Sequence, residues 1–412
     1  MEDILELQQK HFSKQDRSQN LIYTLHRRSG DVTVEVGVID KQDGKFILCV
    51  PTQTNCAQAC KFCHSIELAG TVAVSNLTAY EMITIVHRSR GDSGFVAAPE
   101  VTLLVSFMGL GEPMANVGNL LSAMINLNHW AAATQVSIRF ALSTMIPEKY
   151  IADFTKFMNS VQAFQLPVKV HFSLHYTIDN QRLDWMPTAS GIAIALSLLG
   201  EYKRRTTNPA EIHYTLIGGV NDTLGDAGRL GVLLKGLDIP VKFLHYNPVA
   251  GDPHLAPGRD WTQLLRMVVE SYGVTTEWYD SPGADIAVSC GMFLNASYLP
   301  TKKETALRSE EGLPLYQISL SDPVPASVPT QQEEFLERLD SLEDKARKAT
   351  PGPYTSAGWV ESEQGFEVRS STGERIRVAS TLLARDADYI ASVTPEVILE
   401  LIAIARRKGD TC

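Results

Sequence analysis

The chain has 412 residues, room for two or three domains, and its 44% apolar and 20% charged side chains exclude a disordered or fibrous protein. Its net charge of −10 is shared evenly, with 14 basic and 19 acidic side chains in 300–412 against 23 and 28 in 1–299. There is thus no basic excess for broad non-specific nucleic-acid binding, although a local basic patch stays open.

Residues 1–44 read as a short N-terminal segment and a β-hairpin: LIYTLHRR, a Ser-Gly-Asp turn, then VTVEVGVI with period-two alternation. The polar, acidic start MEDILELQQKHFSKQ has no apolar signal core, and no apolar run approaches the ~18 residues of a membrane span. The chain is therefore expected to be soluble and cytoplasmic, without membrane contact. From 45 to 298, six β-rich runs (KFILCV, VTLLVSF, VSIRFALS, VKVHFSL, EIHYTLI and VKFLHYN) alternate with helix-length stretches. Those stretches lie near 78–89, 115–130, 147–160, 188–204, 224–237 and 261–272. Such alternation predicts an α/β fold of parallel β/α units joined by right-handed crossovers. Six units fall short of the eight of a closed barrel, so a partial (β/α)6 barrel is the first choice and a doubly wound sheet the second. In either, chemistry belongs at the carboxyl ends of the strands. Residues 299–330, with SDPVPASVPTQQ, read as a linker. Residues 331–412 read as a small α+β module, with helices at 331–349 and 394–408, the turn TPGP, and short strands around WVESEQGFEVRSS.

Six cysteines stand at 49, 56, 60, 63, 290 and 412, four of them within fifteen residues. That is a poor disulfide framework and a good metal-site signal. Cys56, Cys60 and Cys63 follow the first barrel strand in NCAQACKFCHS. Three thiolates at those gaps can hold three irons of a cubane cluster and leave the fourth open to an outside ligand. A structural zinc would need a fourth ligand, from His64 or from farther away. One β/α unit later, SFMGLGEP places Gly109, Gly111, Glu112 and Pro113 at the end of the second strand. Glycine there lets backbone approach a ligand, and the carboxylate can hold an ammonium group. Cys49 and Cys290, taken singly, read as small buried hydrophobes.

The cysteine spacing after a first barrel strand resembles that of the radical S-adenosylmethionine superfamily. Over residues 22–296 the ordered segments LCVPTQTNCAQACKFCHS, MGLGEP, ALSTMIP, FSLHYTIDNQRLDWMP, LIGGVNDT, HYNPVAG and ADIAVSCGMF resemble the RlmN/Cfr family of radical-SAM adenine methyl synthases. The resemblance implies one [4Fe–4S] cluster on Cys56, Cys60 and Cys63. It implies S-adenosylmethionine held by Gly111, Glu112, Ser143, Ser173, Leu174, His175 and Asn247. It also implies methylation of adenine C2 or C8 in RNA, ribosomal or transfer, with Cys290 as methyl carrier, Cys49 as resolving thiol and Glu35 as proton acceptor. In that scheme a first cofactor methylates Cys290, and a 5′-deoxyadenosyl radical from a second takes hydrogen from the S-methyl group. The methylene radical then adds to the base, and Cys49 releases the product by forming a disulfide with Cys290. A flavodoxin-type electron donor and a monomeric enzyme are expected with it.

Blander readings accompany several of these residues. Glu35 could face outward from an exposed strand, His175 could be a core histidine, and Ser143 and Ser173 could be ordinary strand-end hydrogen-bonders. The sequence also departs from the family. About 20 residues precede the hairpin where the family has a helical accessory domain, CGMF replaces CGQL, and Pro282 replaces a basic residue. The acidic tail of 300–412 loosely resembles phage and prophage tail modules. These departures bear on the substrate and point to a local footprint, such as a tRNA stem-loop. The alternatives are the same chemistry on a non-RNA acceptor, or an iron–sulfur binding or regulatory protein without turnover.

Overall fold

The hairpin is longer than its sequence pattern and is preceded by a further strand. The computed structural model describes residues 4–293, apart from 69–72 and 99, and the backbone of three strands near the C-terminus. Strand β1 (Leu5–Phe12) pairs antiparallel with β2 (Ser18–Leu25), and β2 pairs antiparallel with β3 (Val32–Asp40). Only Leu5 of LELQQKHF is buried, so β1 is an edge strand held by its backbone ladder and carries little period-two signal. β3 pairs antiparallel with β4 (Lys45–Cys49), which sets Gly37 opposite Cys49.

From β4 onward the pairing is parallel, through β5 (Thr102–Phe107), β6 (Ser137–Thr144), β7 (Val168–Ser173) and β8 (Ala210–Leu216). With β9 (Val241–His245) and β10 (Thr276–Tyr279), ten strands follow one another in the sheet in chain order. The helices are α1 (Ala79–Asp92), α2 (Val117–Thr134), α3 (Ile151–Ala163), α4 (Asp179–Trp185), α5 (Ile192–Thr206), α6 (Leu224–Leu234) and α7 (Arg259–Glu270). All six expected β/α units are present. Consecutive strand order decides between the two expected architectures. A doubly wound sheet reverses direction at a switch point, whereas right-handed crossovers between successive neighbours put every helix on the same face. The order here has no reversal, which is the partial-barrel arrangement.

Burial follows from this layering. Every residue of β8 (AEIHYTL) is buried, including Glu211 and His213, as expected for a parallel strand covered on both faces. The start of α1 is fixed by a capping box between Thr78 and Glu81. The same Glu81 receives Arg27 Nε and Nη2 at 2.6 and 2.7 Å, tying β2's end to the helix.

The described chain falls into two compact units. One contains the described residues up to Tyr214, Leu244–Pro253 and the described residues from Tyr279, and it holds every candidate site residue. The other includes Thr215–Phe243 and His254–Trp278; within it α6 packs against α7, and Trp261 Nε1 donates to Asp222 O at 2.8 Å. Near the C-terminus β11 (Tyr354–Ser356), β12 (Phe366–Ser370) and β13 (Arg375–Val378) form an antiparallel sheet. β12 lies within the stretch expected to hold strands. The expected linker at 299–330, the helices at 331–349 and 394–408, and Cys412 lie outside the described residues. Among the described residues no helix is long and apolar enough to cross a membrane.

Candidate active site

The loop after β4 carries Cys56, Cys60 and Cys63, and local hydrogen bonds shape it. Asn55 Oδ1 accepts from Cys56 N at 2.7 Å while its Nδ2 donates to Leu68 O at 3.2 Å. Cys63 N donates to Cys60 O, and Ala59 takes the left-handed conformation, φ 53°. The three thiols are pushed up by burial, Cys56 to about 12, and Cys56 and Cys60 also by neighbouring thiols of the trio. They are therefore neutral without a metal and become thiolates only when one binds.

Two buried groups suit an iron–sulfur cluster and a cationic cofactor at this loop. The first is Arg182 on α4, which is fully buried and electrostatically coupled to Cys60, so its cation offsets part of the charge of bound thiolates. The second is Glu112, 5% exposed, beyond β5. Its Oε1 accepts from Thr144 Oγ1 at 2.6 Å and Met114 N at 3.0 Å, and its Oε2 from Met145 N at 3.4 Å. Burial lifts it to about 7 against these donors, none of which is a cation. An ammonium group such as that of a methionine moiety would complete this carboxylate.

The position of Glu112 has a consequence for stability. Its folded value of about 7 exceeds the ordinary 4.5, so between these values the folded chain holds a proton that the unfolded chain has released. Stability of the cofactor-free protein is then full below pH 4.5 and falls as pH rises toward 7. Glu112→Gln should flatten that fall, by about 3 kcal/mol. Urea titrations at both ends of the window measure it, and an unchanged slope would show that the carboxylate is not strained by burial.

The glycines of MGLGEP also serve a packing role beside the expected approach to a ligand. A Cβ on Gly109 would lie 2.8 Å from Pro51 N, and one on Gly111 (φ 111°) 2.8 Å from Thr52 Oγ1 and Gln53 Cβ. They let the turn after β5 press onto residues 50–53, the root of the cysteine loop. Ser143 and Ser173 meet across the ends of β6 and β7, Oγ to Oγ 3.0 Å. Leu174 is buried and its N donates to His213 O at 3.2 Å. His175 is buried in the left-handed region, φ 55°, with its ring edge-on to Phe62 of the cysteine loop at 4.7 Å between centroids. Burial, His213 and Arg182 push its imidazole well down, so it is neutral.

Cys49 and Cys290 come together from opposite ends of the unit. Cys49, at the end of β4, packs with Ile39, Ile47, Leu110, Val288 and Phe293. Burial, and then Cys290, push its thiol up to about 12. The Cys290 segment is anchored at several points. Ser281 Oγ accepts from Cys290 N at 3.0 Å and lies 3.3 Å from its Sγ, as a donor to it. Asn247 Nδ2 donates to Cys290 O at 3.1 Å, which gives Asn247 a positioning contact here. The adjoining Gly291 O accepts from His64 N at 2.8 Å and lies 3.6 Å from Cys63 Sγ, so the segment is stitched to the cysteine loop. Glu35 is 4% exposed, which overturns the outward-facing reading. By strand alternation it shares a face of β3 with Gly37, the residue opposite Cys49.

Sequence reasoning passed over Arg182, His171, Glu211 and His213. Arg182 donates to Leu174 O, Met145 O and Ser173 O at 3.1–3.2 Å and to Ser190 O. It ties the ends of β6 and β7 to the loop after α4. His171, Glu211 and His213 cluster on β7 and β8. A signal for them exists: polar residues at alternate positions of otherwise apolar strands.

No family model matches the chain. It is 30% identical over 300 residues to the probable dual-specificity RNA methyltransferase RlmN of Symbiobacterium thermophilum, covering 71% of this chain and 76% of that protein. The protein of that name from Thermus thermophilus is 30% identical over 284 residues, 68% of this chain and 75% of the relative. With the Heliobacterium modesticaldum relative the match is 30% over 256 residues and spans only 63% of the relative's length. Among solved structures, a radical SAM methyltransferase from Sphaerobacter thermophilus superposes with a TM-score of 0.60 at 23% identity, over 70% of this chain and 81% of that one. That likeness agrees with the partial-barrel fold, and the extent of the sequence matches shows that the chain belongs to the RlmN family.

Proposed function

We propose that the protein methylates a ring carbon of adenine, C2 or C8, in RNA, with Cys290 carrying the methyl group. The observation that supports this most is that the segment carrying Cys290 packs on Cys49 through Val288 and Phe293 and is bonded to the three-cysteine loop. An iron–sulfur binding protein without turnover would need neither outlying thiol. The RNA substrate rests on the names of the relatives.

Cys56, Cys60 and Cys63 would hold a [4Fe–4S] cluster, and Glu112 with the Ser143, Ser173 and His175 strand ends would hold S-adenosylmethionine. When bound, these groups supply an electrophilic methyl group and a carbon-centred radical. Cys290 is the methyl acceptor because a hydroxyl, Ser281, stands ready to donate to its thiolate. Cys49, held neutral by burial, does not compete for the methyl group. It would act later as a thiolate attacking the sulfur of the protein–base thioether, so that the bond from Cys290 Sγ to the methylene carbon breaks. That carbon takes up a proton to become the methyl group, the methylated base leaves and a disulfide forms. Glu35, buried on the sheet face that Gly37 and Cys49 share, would take the ring proton.

Anaerobically reconstituted protein should contain close to one cluster, produce 5′-deoxyadenosine, and show one added methylene on the Cys290 peptide by mass spectrometry. Replacing Cys56, Cys60 and Cys63 together with Ala should abolish all three. Cys290→Ala should keep the cluster and give no methylated RNA. Iron retention and cofactor cleavage in the triple variant, or methylated RNA from Cys290→Ala, would overturn the proposal.

A further inference from the structure

Strands β7 and β8 carry an unusual polar set on the sheet face that bears Ser143 and Ser173. The register sets His171 between Ser143 on β6 and Glu211 on β8, and Ser173 opposite His213. His171, Glu211 and His213 are each less than 10% exposed. His171 Nδ1 lies 3.1 Å from Glu211 Oε1 and 2.7 Å from His213 Nε2, and that Nε2 lies 3.3 Å from the same oxygen. The three heteroatoms form a closed triangle.

While Glu211 is ionised, protons cannot satisfy such a triangle. A carboxylate oxygen only accepts and each ring nitrogen either donates or accepts, so the three edges cannot all pair a donor with an acceptor. If both ring nitrogens donate to the carboxylate, two N–H groups face each other across 2.7 Å. If one nitrogen accepts instead, its lone pair faces the carboxylate oxygen. With the carboxylate ionised, as its bond from Lys169 Nζ favours, one edge is repulsive in either assignment, in a buried setting that screens it poorly. A single cation takes a lone pair from all three atoms at once.

We propose that His171, Glu211 and His213 bind one divalent transition-metal ion of the Zn2+ type. The dimensions suit it: edges of 2.7–3.3 Å belong to a ligand face whose metal stands ~2.1 Å from each donor, about 1 Å out of their plane. Two imidazoles and a carboxylate select such borderline ions over Mg2+ or Ca2+. Lys169 Nζ donates to Glu211 Oε2 at 2.5 Å, which turns Oε1 toward the histidines, as outer contacts orient metal ligands elsewhere. Among the described residues no other three His, Cys, Asp or Glu side chains bring ligand atoms within 4.8 Å of one another. Three protein ligands leave a further position for water or a substrate heteroatom. The site stands independently of the RNA chemistry proposed above.

Cluster-loaded, full-length protein titrated with Co2+ alone tests this. One equivalent should bind with visible d–d bands and without the near-ultraviolet charge-transfer band of thiolate ligation, and Zn2+ should displace it. His171→Ala and Glu211→Gln should each weaken binding roughly a hundredfold or more while iron content stays unchanged. If His171→Ala does not fold, Glu211→Gln carries the comparison. No saturable uptake at micromolar Co2+ or Zn2+, a thiolate charge-transfer band, or equal uptake by the variants would each overturn the proposal.

Discussion

Cys49→Ala protein, supplied with RNA, reductant and S-adenosylmethionine without oxygen, should accumulate as a covalent protein–RNA species joined through Cys290. The replacement leaves Ser281, Asn247 and the cysteine loop around Cys290 untouched, so methyl acceptance and base attachment proceed. No thiol remains to break the thioether. Multiple turnover should fall by roughly a thousandfold or more, while one equivalent of adduct forms. Denaturing electrophoresis detects the adduct, and sequencing the attached nucleotides identifies the substrate. Full turnover by this variant would remove Cys49 from the mechanism. A free, methylated Cys290 with no adduct would place the block before attachment and exclude its role as resolving thiol.

The second large effect is on stability. Arg182 is completely buried and donates to four backbone carbonyls, those of Met145, Ser173, Leu174 and Ser190. Its guanidinium also lies 5.2 Å from the centroid of Phe172. Removing it takes a donor from all four buried acceptors. Leu174 O keeps Tyr176 N at 2.7 Å; each of the others, left short, costs about 1 kcal/mol or more, and the lost contact with Phe172 adds to this. Arg182→Ala should therefore lose about 4 kcal/mol of unfolding free energy, and Arg182→Lys about half of that, because one ammonium cannot span the same fork. Urea denaturation followed by circular dichroism measures both. A loss under about 1 kcal/mol for Ala would show that water replaces the guanidinium.

Much of the fold was legible because the barrel strands are apolar runs of five to eight residues with helices between them. What escaped was short or edge-placed. β1 buries one leucine, β10 (TEWY) has four residues, and α4 has seven, so none accumulates enough periodic signal. The cysteine loop and both outlying thiols were legible from spacing and motif. The cluster of His171, Glu211 and His213 was not, since His171 lies 40 or more residues from the other two and meets them only through the register of β7 with β8. Arg182 escaped for a related reason. Its partners are backbone carbonyls, which any sequence could offer. The glycines of MGLGEP were noticed for ligand approach; their close contact with the chain's own residues 50–53 was not legible, because it depends on how two loops pack.

The contact that covers Cys49 also bears on how the chain reaches its native state. From β1 to β8 each strand pairs with the one before it, so the sheet can grow as the chain emerges, each step closing one hairpin or one crossover, the longest from Cys49 to Thr102. The segment around Cys290 is the exception. Val288 and Phe293 return to Gly37 on β3, where a Cβ would lie 2.9 Å from the Phe293 ring, across some 250 residues of chain. Closing so large a loop is entropically unfavourable until the intervening strands are in place. Pairing of the two thiols is therefore favoured only once those strands stand between them, and a nascent chain shorter than 290 residues lacks the second thiol altogether.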